Sequence, residues 1–149
     1  MEISEILSQD RVTKVTALGS KKAALESLSR LISSADPTLT QFEVFESLIA
    51  REKLGSTGLG HGIAIPHGRR KGGHQTIGAF MKLQTGVNYD AIDQKPVDLL
   101  FALLVPEKST EEHLKVLSKL ATIFNEGSLT NSLRECGSAE AIFEILVSQ

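Results

Sequence analysis

Residues Val97–Val105 read VDLLFALLV, with apolar side chains on both parities after Asp98. A strand wetted on one face alternates apolar and polar residues, whereas one covered on both faces is apolar throughout. The stretch therefore predicts a central strand buried between two layers, with Pro106 closing it. Upstream, Ile77, Ala79, Met81 and Leu83 alternate with other residues between Gln75 and Leu83 and predict a second strand, followed by a polar connection over 86–95. Downstream, Ser109 and Glu112 form a capping-box pattern before Leu114, Leu117, Leu120, Ala121 and Phe124, whose three- and four-residue spacing predicts a helix. Leu129 and Leu133 after Ser128, then Ile142, Ile145 and Leu146 after Ser138, predict two shorter helices.

The N-terminal half follows the same rules. Ile3, Ile6 and Leu7 share one helical face, and Val12 with Val15 suggests a short extended segment. Ser20 caps a helix carrying Ala24, Leu25, Leu28, Leu31 and Ile32, which ends before Pro37. Thr40 and Glu43 cap another, with Phe42, Phe45, Leu48 and Ile49 as its apolar stripe and Gly55 as its terminator. Strands interspersed with helices imply an α/β layer structure, and 149 residues that are 41% hydrophobic suffice for one domain spanning 1–149.

A formal net charge of -2 gives no broad attraction to nucleic acid or to an anionic membrane. The basic run Arg69, Arg70, Lys71 has no interleaved aromatics, so it reads as a solvated loop or a docking rim for an acidic partner. Cys136 is the only cysteine, which precludes an intramolecular disulfide and fits a reducing cytoplasm. The start MEISEILSQDRVTKV is no signal peptide, and no run of about 18 apolar residues occurs, so a soluble chain without membrane insertion is expected.

The chemistry concentrates in Arg51–Gly68, REKLGSTGLGHGIAIPHG, where five glycines precede or follow the short apolar run Ile63–Ile65 and Pro66 and His67 emerge at its end. Glycine at this density marks tight turns or close backbone approach. A neutral imidazole hydrogen-bonded at one ring nitrogen presents the other as a nucleophile, which is what a phosphoryl acceptor requires. Arg51, in the last turn of its helix, reads either as a cation suited to the helix C-terminus or as a planar donor to phosphate oxygens. His67 reads either as the end of a strand or as that acceptor, with the backbone of Gly55, Ser56, Thr57, Gly58, Gly60 and His61 as its phosphate-binding loop. His113 falls in the first turns of its helix, where the dipole favours a neutral hydrogen-bond donor near an anion. His74 reads as solvated. The stretch lacks the Gly-Lys-Ser/Thr ending of a nucleotide loop, and His61 with His67 makes no metal set, so neither ATP, a metal nor another cofactor is expected.

REKLGSTGLGHGIAIPHGR and VDLLFALLVPE together resemble the EIIA domain of the bacterial phosphotransferase system, fructose/mannitol class, with the nitrogen-regulatory EIIA proteins as the nearest subgroup. The resemblance runs over nearly the whole chain. It implies a mixed β-sheet flanked by helices on both faces, phosphorylation of His67 by an HPr-like phosphocarrier, and phosphate stabilisation by Arg51 and by His113. It further implies either regulation of a target protein through the phosphorylation state or onward transfer to a separate EIIB. No fused EIIB or membrane segment occurs in the sequence, which favours the regulatory role. The competing readings are a sugar-specific fructose or mannitol EIIA, and a binding module that docks without being phosphorylated. In the leading reading the chain is a cytoplasmic phosphotransferase component that turns over only with its partner proteins.

Overall fold

The computed structural model describes residues 1–108 and 110–149, with the side chains of Thr110 and His113 excluded. In chain order the elements are α1 (Ile3–Ile6), a 3-10 turn (Gln9–Arg11), β1 (Val12–Val15), α2 (Lys21–Ser33), α3 (Gln41–Glu52), β2 (Gly58–Gly60), β3 (Ile63–Ala64), β4 (His67–Arg70), β5 (Ile77–Val87), β6 (Val97–Pro106), α4 (Thr110–Phe124), α5 (Gly127–Glu135) and α6 (Ala139–Val147).

The strands form one mixed sheet in the order β1, β5, β6, β3, β2, with β4 also paired to β6. Strand β6 is central, as its continuous apolar run predicts: it lies antiparallel to β5 and parallel to both β3 and β4. Leu100, Ala102 and Leu104 of β6 pack with Ala79 and Met81 of β5 beneath α2 and α3, through Leu25, Leu28, Ile32, Val44 and Leu48. Leu99, Phe101 and Leu103 enter the opposite core with Phe80, Ile63 and Ile65, covered by Val116, Leu120, Phe124, Leu133 and Ile142 of the later helices. The architecture is therefore a mixed α/β sheet with helices on both faces.

Several boundaries and faces differ from the sequence expectation. Strand β5 continues through Gly86 to Val87, across part of the segment expected to be a connection, and is buried on both faces over 77–83. Phe42, expected in the α3 stripe, is 68% exposed, and Val44 takes the core position. Leu114 of α4 is likewise turned outward while Val116 is buried. In both helices a four-residue spacing fits two rotations of the helix, and only the sheet surface selects between them. The capping residue expected at Ser109 lies outside the described residues. Ser20, Thr40 and Ser138 each accept the backbone N–H three residues on, as N-caps do.

The run after the glycine stretch does not simply end at Pro66. Strands β3 and β4 lie along β6 in unbroken register, with Ala64 opposite Leu100 and His67 opposite Leu103. Proline has no N–H to give the ladder, so pairing lapses at Ile65 and Pro66 while the Pro66 carbonyl still accepts from Leu103 N–H at 2.9 Å. His67 consequently begins a strand at the sheet edge.

Candidate active site

Strand β2 pairs with β3, and β4 has α3 along its outer side. Ser47 of α3 substitutes for a neighbouring strand: its hydroxyl accepts from Arg69 N–H and donates to Arg69 C=O, both at 2.8 Å. Such close approach requires Gly68, because a Cβ there would lie 2.3 Å from Ser47 Oγ. The glycine after His67 is thus explained by contact with α3.

His67 lies at a cleft of ≈ 470 Å³ lined by Ser47, Ala50, Arg51 and Leu54 on one side and Leu114 and Leu117 on the other. Its Nδ1 is 2.9 Å from the carbonyl of Ile65. A carbonyl can only accept, so the contact assigns the proton to Nδ1 and leaves the lone pair on Nε2. Burial lowers the affinity of the imidazole for a second proton, which the Ile65 carbonyl partly offsets; the charge of Arg51 lowers it further, Glu52 raises it and Arg69 lowers it. The balance favours neutral imidazole.

Arg51 closes the last turn of α3, with Nη1 donating to the Gly55 carbonyl at 2.8 Å. It is half-buried and lines the same cleft as His67. The structure therefore brings together His67, Arg51 and, through its carbonyl, Gly55. Thr57 is linked to the site from behind, since its carbonyl accepts from Ile65 N–H at 3.1 Å. Ser56 caps its own turn by accepting from Gly58 N–H at 3.1 Å.

The remainder of the expected loop turns away. Gly58 and Gly60 belong to β2, opposite Ala64 and Ile63. His61 has φ 57, its N–H donates to Asp93 at 3.0 Å, and its carbonyl accepts from Arg134 at 2.7 Å. Gly62, at φ +82, is enclosed by Arg134 and Asp98, each 2.6 Å from where a Cβ would stand. These residues meet the start of β6, several residues along the strand from Leu103 beside His67. The α4 backbone carries His113, whose side chain lies outside the described residues.

The basic run divides. Arg69 and Lys71 are exposed. Arg70 turns inward to pair with Asp36 at 2.9 Å and to donate to Thr38, which corrects the reading of a uniformly solvated run. Hydrogen bonds from Thr38 and the Arg70 guanidinium hold the Asp36 carboxyl down at about 2. His74 is exposed, as expected.

One cluster escaped the sequence reading. Glu52, next to Arg51, is buried, and its carboxylate accepts from Thr57 N–H, Thr57 hydroxyl, Tyr89 hydroxyl at 3.0 Å and Lys21 Nζ at 2.7 Å. Burial and the nearby carboxylate raise the Tyr89 phenol well above its ordinary range, so it remains a donor. The available signals were an acid in the last turn of a helix, where the dipole disfavours it, and a single tyrosine in a polar connection.

Among the described residues no group of three or more His, Cys, Asp or Glu could hold a metal, and no helix is long and apolar enough to cross a membrane. The family described as phosphoenolpyruvate-dependent sugar phosphotransferase system, EIIA 2, matches residues 5–149. The nitrogen regulatory protein of Pseudomonas aeruginosa is 44% identical over 147 residues, covering 99% of this chain and 96% of that one. That of Escherichia coli K12 is 40% identical, covering 98% and 90%. The crystal structure of nitrogen regulatory protein IIA-Ntr from Neisseria meningitidis superposes with a TM-score of 0.91 at 49% identity, covering 97% of this chain and 98% of that one. The unbroken β3–β4 register, the His67 cleft and these similarities converge: the chain belongs to the EIIA 2 family of the phosphoenolpyruvate-dependent sugar phosphotransferase system, and its relatives named here are nitrogen regulatory proteins.

Proposed function

We propose that this chain is a cytoplasmic phosphohistidine carrier of nitrogen-regulatory type, which accepts a phosphoryl group on His67 from an HPr-like protein and regulates a partner by its phosphorylation state. The observation that carries the reading is the Nδ1 contact to the Ile65 carbonyl in a cleft shared with Arg51. It leaves Nε2 as the nucleophile. In the transfer, the P–N bond of a donor phosphohistidine protonated on its other ring nitrogen breaks as a P–N bond forms to Nε2; the donor ring keeps the electron pair of the broken bond and leaves as neutral imidazole, and the Nδ1 proton of His67 stays where it is. Arg51 neutralises charge on the phosphoryl oxygens with its planar fork, and Gly55 holds that side chain in place. His113 supports the same phosphoryl group as a neutral donor from α4. Of the loop residues, Gly55 and Thr57 serve the site, one by holding Arg51 and the other by accepting the Ile65 N–H.

The similarity to nitrogen regulatory proteins at 40% identity and above supports regulation over sugar uptake. Incubation with phosphoenolpyruvate, enzyme I and an HPr-like protein should add one phosphoryl mass to the wild type and none to His67→Ala, measured on intact protein at neutral or alkaline pH. Undiminished labelling of His67→Ala would sink the assignment. Addition of candidate EIIB proteins reads out the alternative: rapid loss of the label to an EIIB would replace the regulatory reading by a sugar-specific one. A wild type that takes no label would leave the docking module.

A further inference from the structure

Arg51 and Glu52 are consecutive residues in the last turn of α3, yet they serve opposite sides of the following loop. Arg51 turns to the cleft, whereas Glu52 turns inward beneath the loop. From Glu52 a continuous chain of hydrogen bonds reaches the imidazole. The carboxylate accepts the Thr57 N–H at 3.2 Å and the Thr57 hydroxyl; the Thr57 carbonyl accepts Ile65 N–H at 3.1 Å; and the Ile65 carbonyl is 2.9 Å from His67 Nδ1. Tyr89 and Lys21 hold the carboxylate from the far side, with Lys21 Nζ also 4.4 Å from the centre of the Tyr89 ring.

A buried ionic cluster is a poor source of net stability, because desolvation opposes the Coulombic gain. Both faces of the sheet already have large apolar cores, so the cluster is not needed to close the fold. What a fully satisfied polar network does provide is a single geometry. Here the geometry fixed is that of the peptide that selects the tautomer of His67.

We infer that Glu52 is a positioning residue for His67: by holding Thr57 it fixes Ile65, whose carbonyl keeps the proton on Nδ1 and aims Nε2 into the cleft. The inference rests on the proposed role of His67 as phosphoryl acceptor, but its first readout does not require phosphorylation. Long-range proton–nitrogen correlation spectra of the nitrogen-15-labelled protein report the tautomer of His67 directly. The wild type should show the Nδ1–H form. Glu52→Ala should give a mixture of tautomers. Glu52→Gln, which keeps the size but presents an amide NH2 where one oxygen now accepts, should give an intermediate population.

Single-turnover transfer from phosphorylated donor should slow roughly tenfold to a hundredfold in Glu52→Ala, as expected when a reacting atom is misplaced, with the donor concentration for half-maximal rate unchanged. The pH at which the rate halves should move lower in Glu52→Gln, because the neutral side chain no longer supports protonation of His67. The shift of the profile follows from the charge of Glu52 alone, whereas a merely structural cluster would leave the tautomer ratio unmoved. Wild-type tautomer ratios in the folded variants would overturn the inference, whatever the profile does. If Glu52→Ala does not fold, Glu52→Gln decides it alone. If the wild type accepts no phosphate, the functional reading fails while the tautomer comparison still decides the role of Glu52.

Discussion

The His67 imidazole is kept neutral first by burial and then by the cations Arg51 and Arg69, against the opposing pull of the Ile65 carbonyl and Glu52. Because its pKa lies below the ordinary 6.5, the nucleophilic form should persist at mildly acidic pH where a solvated histidine is half protonated. The pH at which phosphoryl acceptance halves should therefore lie below 6.5. Removal of the positive charge in Arg51→Ala raises the pKa of His67, so the inflection should move upward as the plateau rate falls by about a hundredfold. Arg51→Lys retains charge and loses the bidentate fork, and an intermediate rate is expected. Rate–pH profiles with a fixed donor check all three proteins. Equal rates in wild type, Arg51→Lys and Arg51→Ala would leave Arg51 with only its helix-end role beside Gly55. For His113, His113→Ala should still label at His67 but more slowly, and His113→Gln should recover part of the rate; label mapped to His113 would refute that division of labour.

The decisive element is β4, an edge strand completed by a helix. Ser47 satisfies both backbone groups of Arg69, and Gly68 allows the helix to come close enough for it to do so. Gly68→Ala would place a methyl group against Ser47 Oγ and its backbone, so α3 or β4 must shift, at a cost of about 1–3 kcal/mol. Urea denaturation should show that loss, and transfer to His67 should fall by more than the small unfolded fraction explains. Ser47→Ala removes one hydroxyl that serves two groups; it should cost about 1 kcal/mol and loosen the edge without a clash. A Gly68→Ala protein as stable as wild type would mean that α3 does not pack on β4 as described. The sequence showed α3, its N-cap at Thr40 and the glycine after His67, but nothing in the spacing of Ser47 and Arg69 announced that they meet, because 22 residues separate them.

Across the whole molecule, Phe80, Phe101 and Phe124 join the sheet to α4, with ring centroids 6.2 Å, 6.2 Å and 6.1 Å apart. Phe101→Ala should cost about 3–5 kcal/mol, a large share of the stability of a domain this size. A denaturation midpoint near the wild-type value would show that the trio does not bind α4 to the sheet. The amino-acid sequence alone determined the elements that make this architecture. The two-sided apolar run of β6, the helical spacings and the caps at Ser20, Thr40 and Ser138 are properties of neighbouring residues, and local propensity and burial act on them directly. It also made His67 a candidate, because an unusual density of glycines around a Pro-His pair is visible in one dimension, while Arg51 stood out through the resemblance of the REKLGSTG motif. Tertiary structure alone decided which face of α3 and α4 is buried, leaving Phe42 and Leu114 outside, since an amphipathic stripe several residues wide leaves its rotation to the partner surface. It alone turned Arg70 inward onto Asp36 and carried His61 away to Asp93 and Arg134. It alone joined Lys21, Glu52, Thr57 and Tyr89, because a buried carboxylate gathers its donors from wherever the folded chain brings them, and their positions along the sequence carry no trace of that meeting.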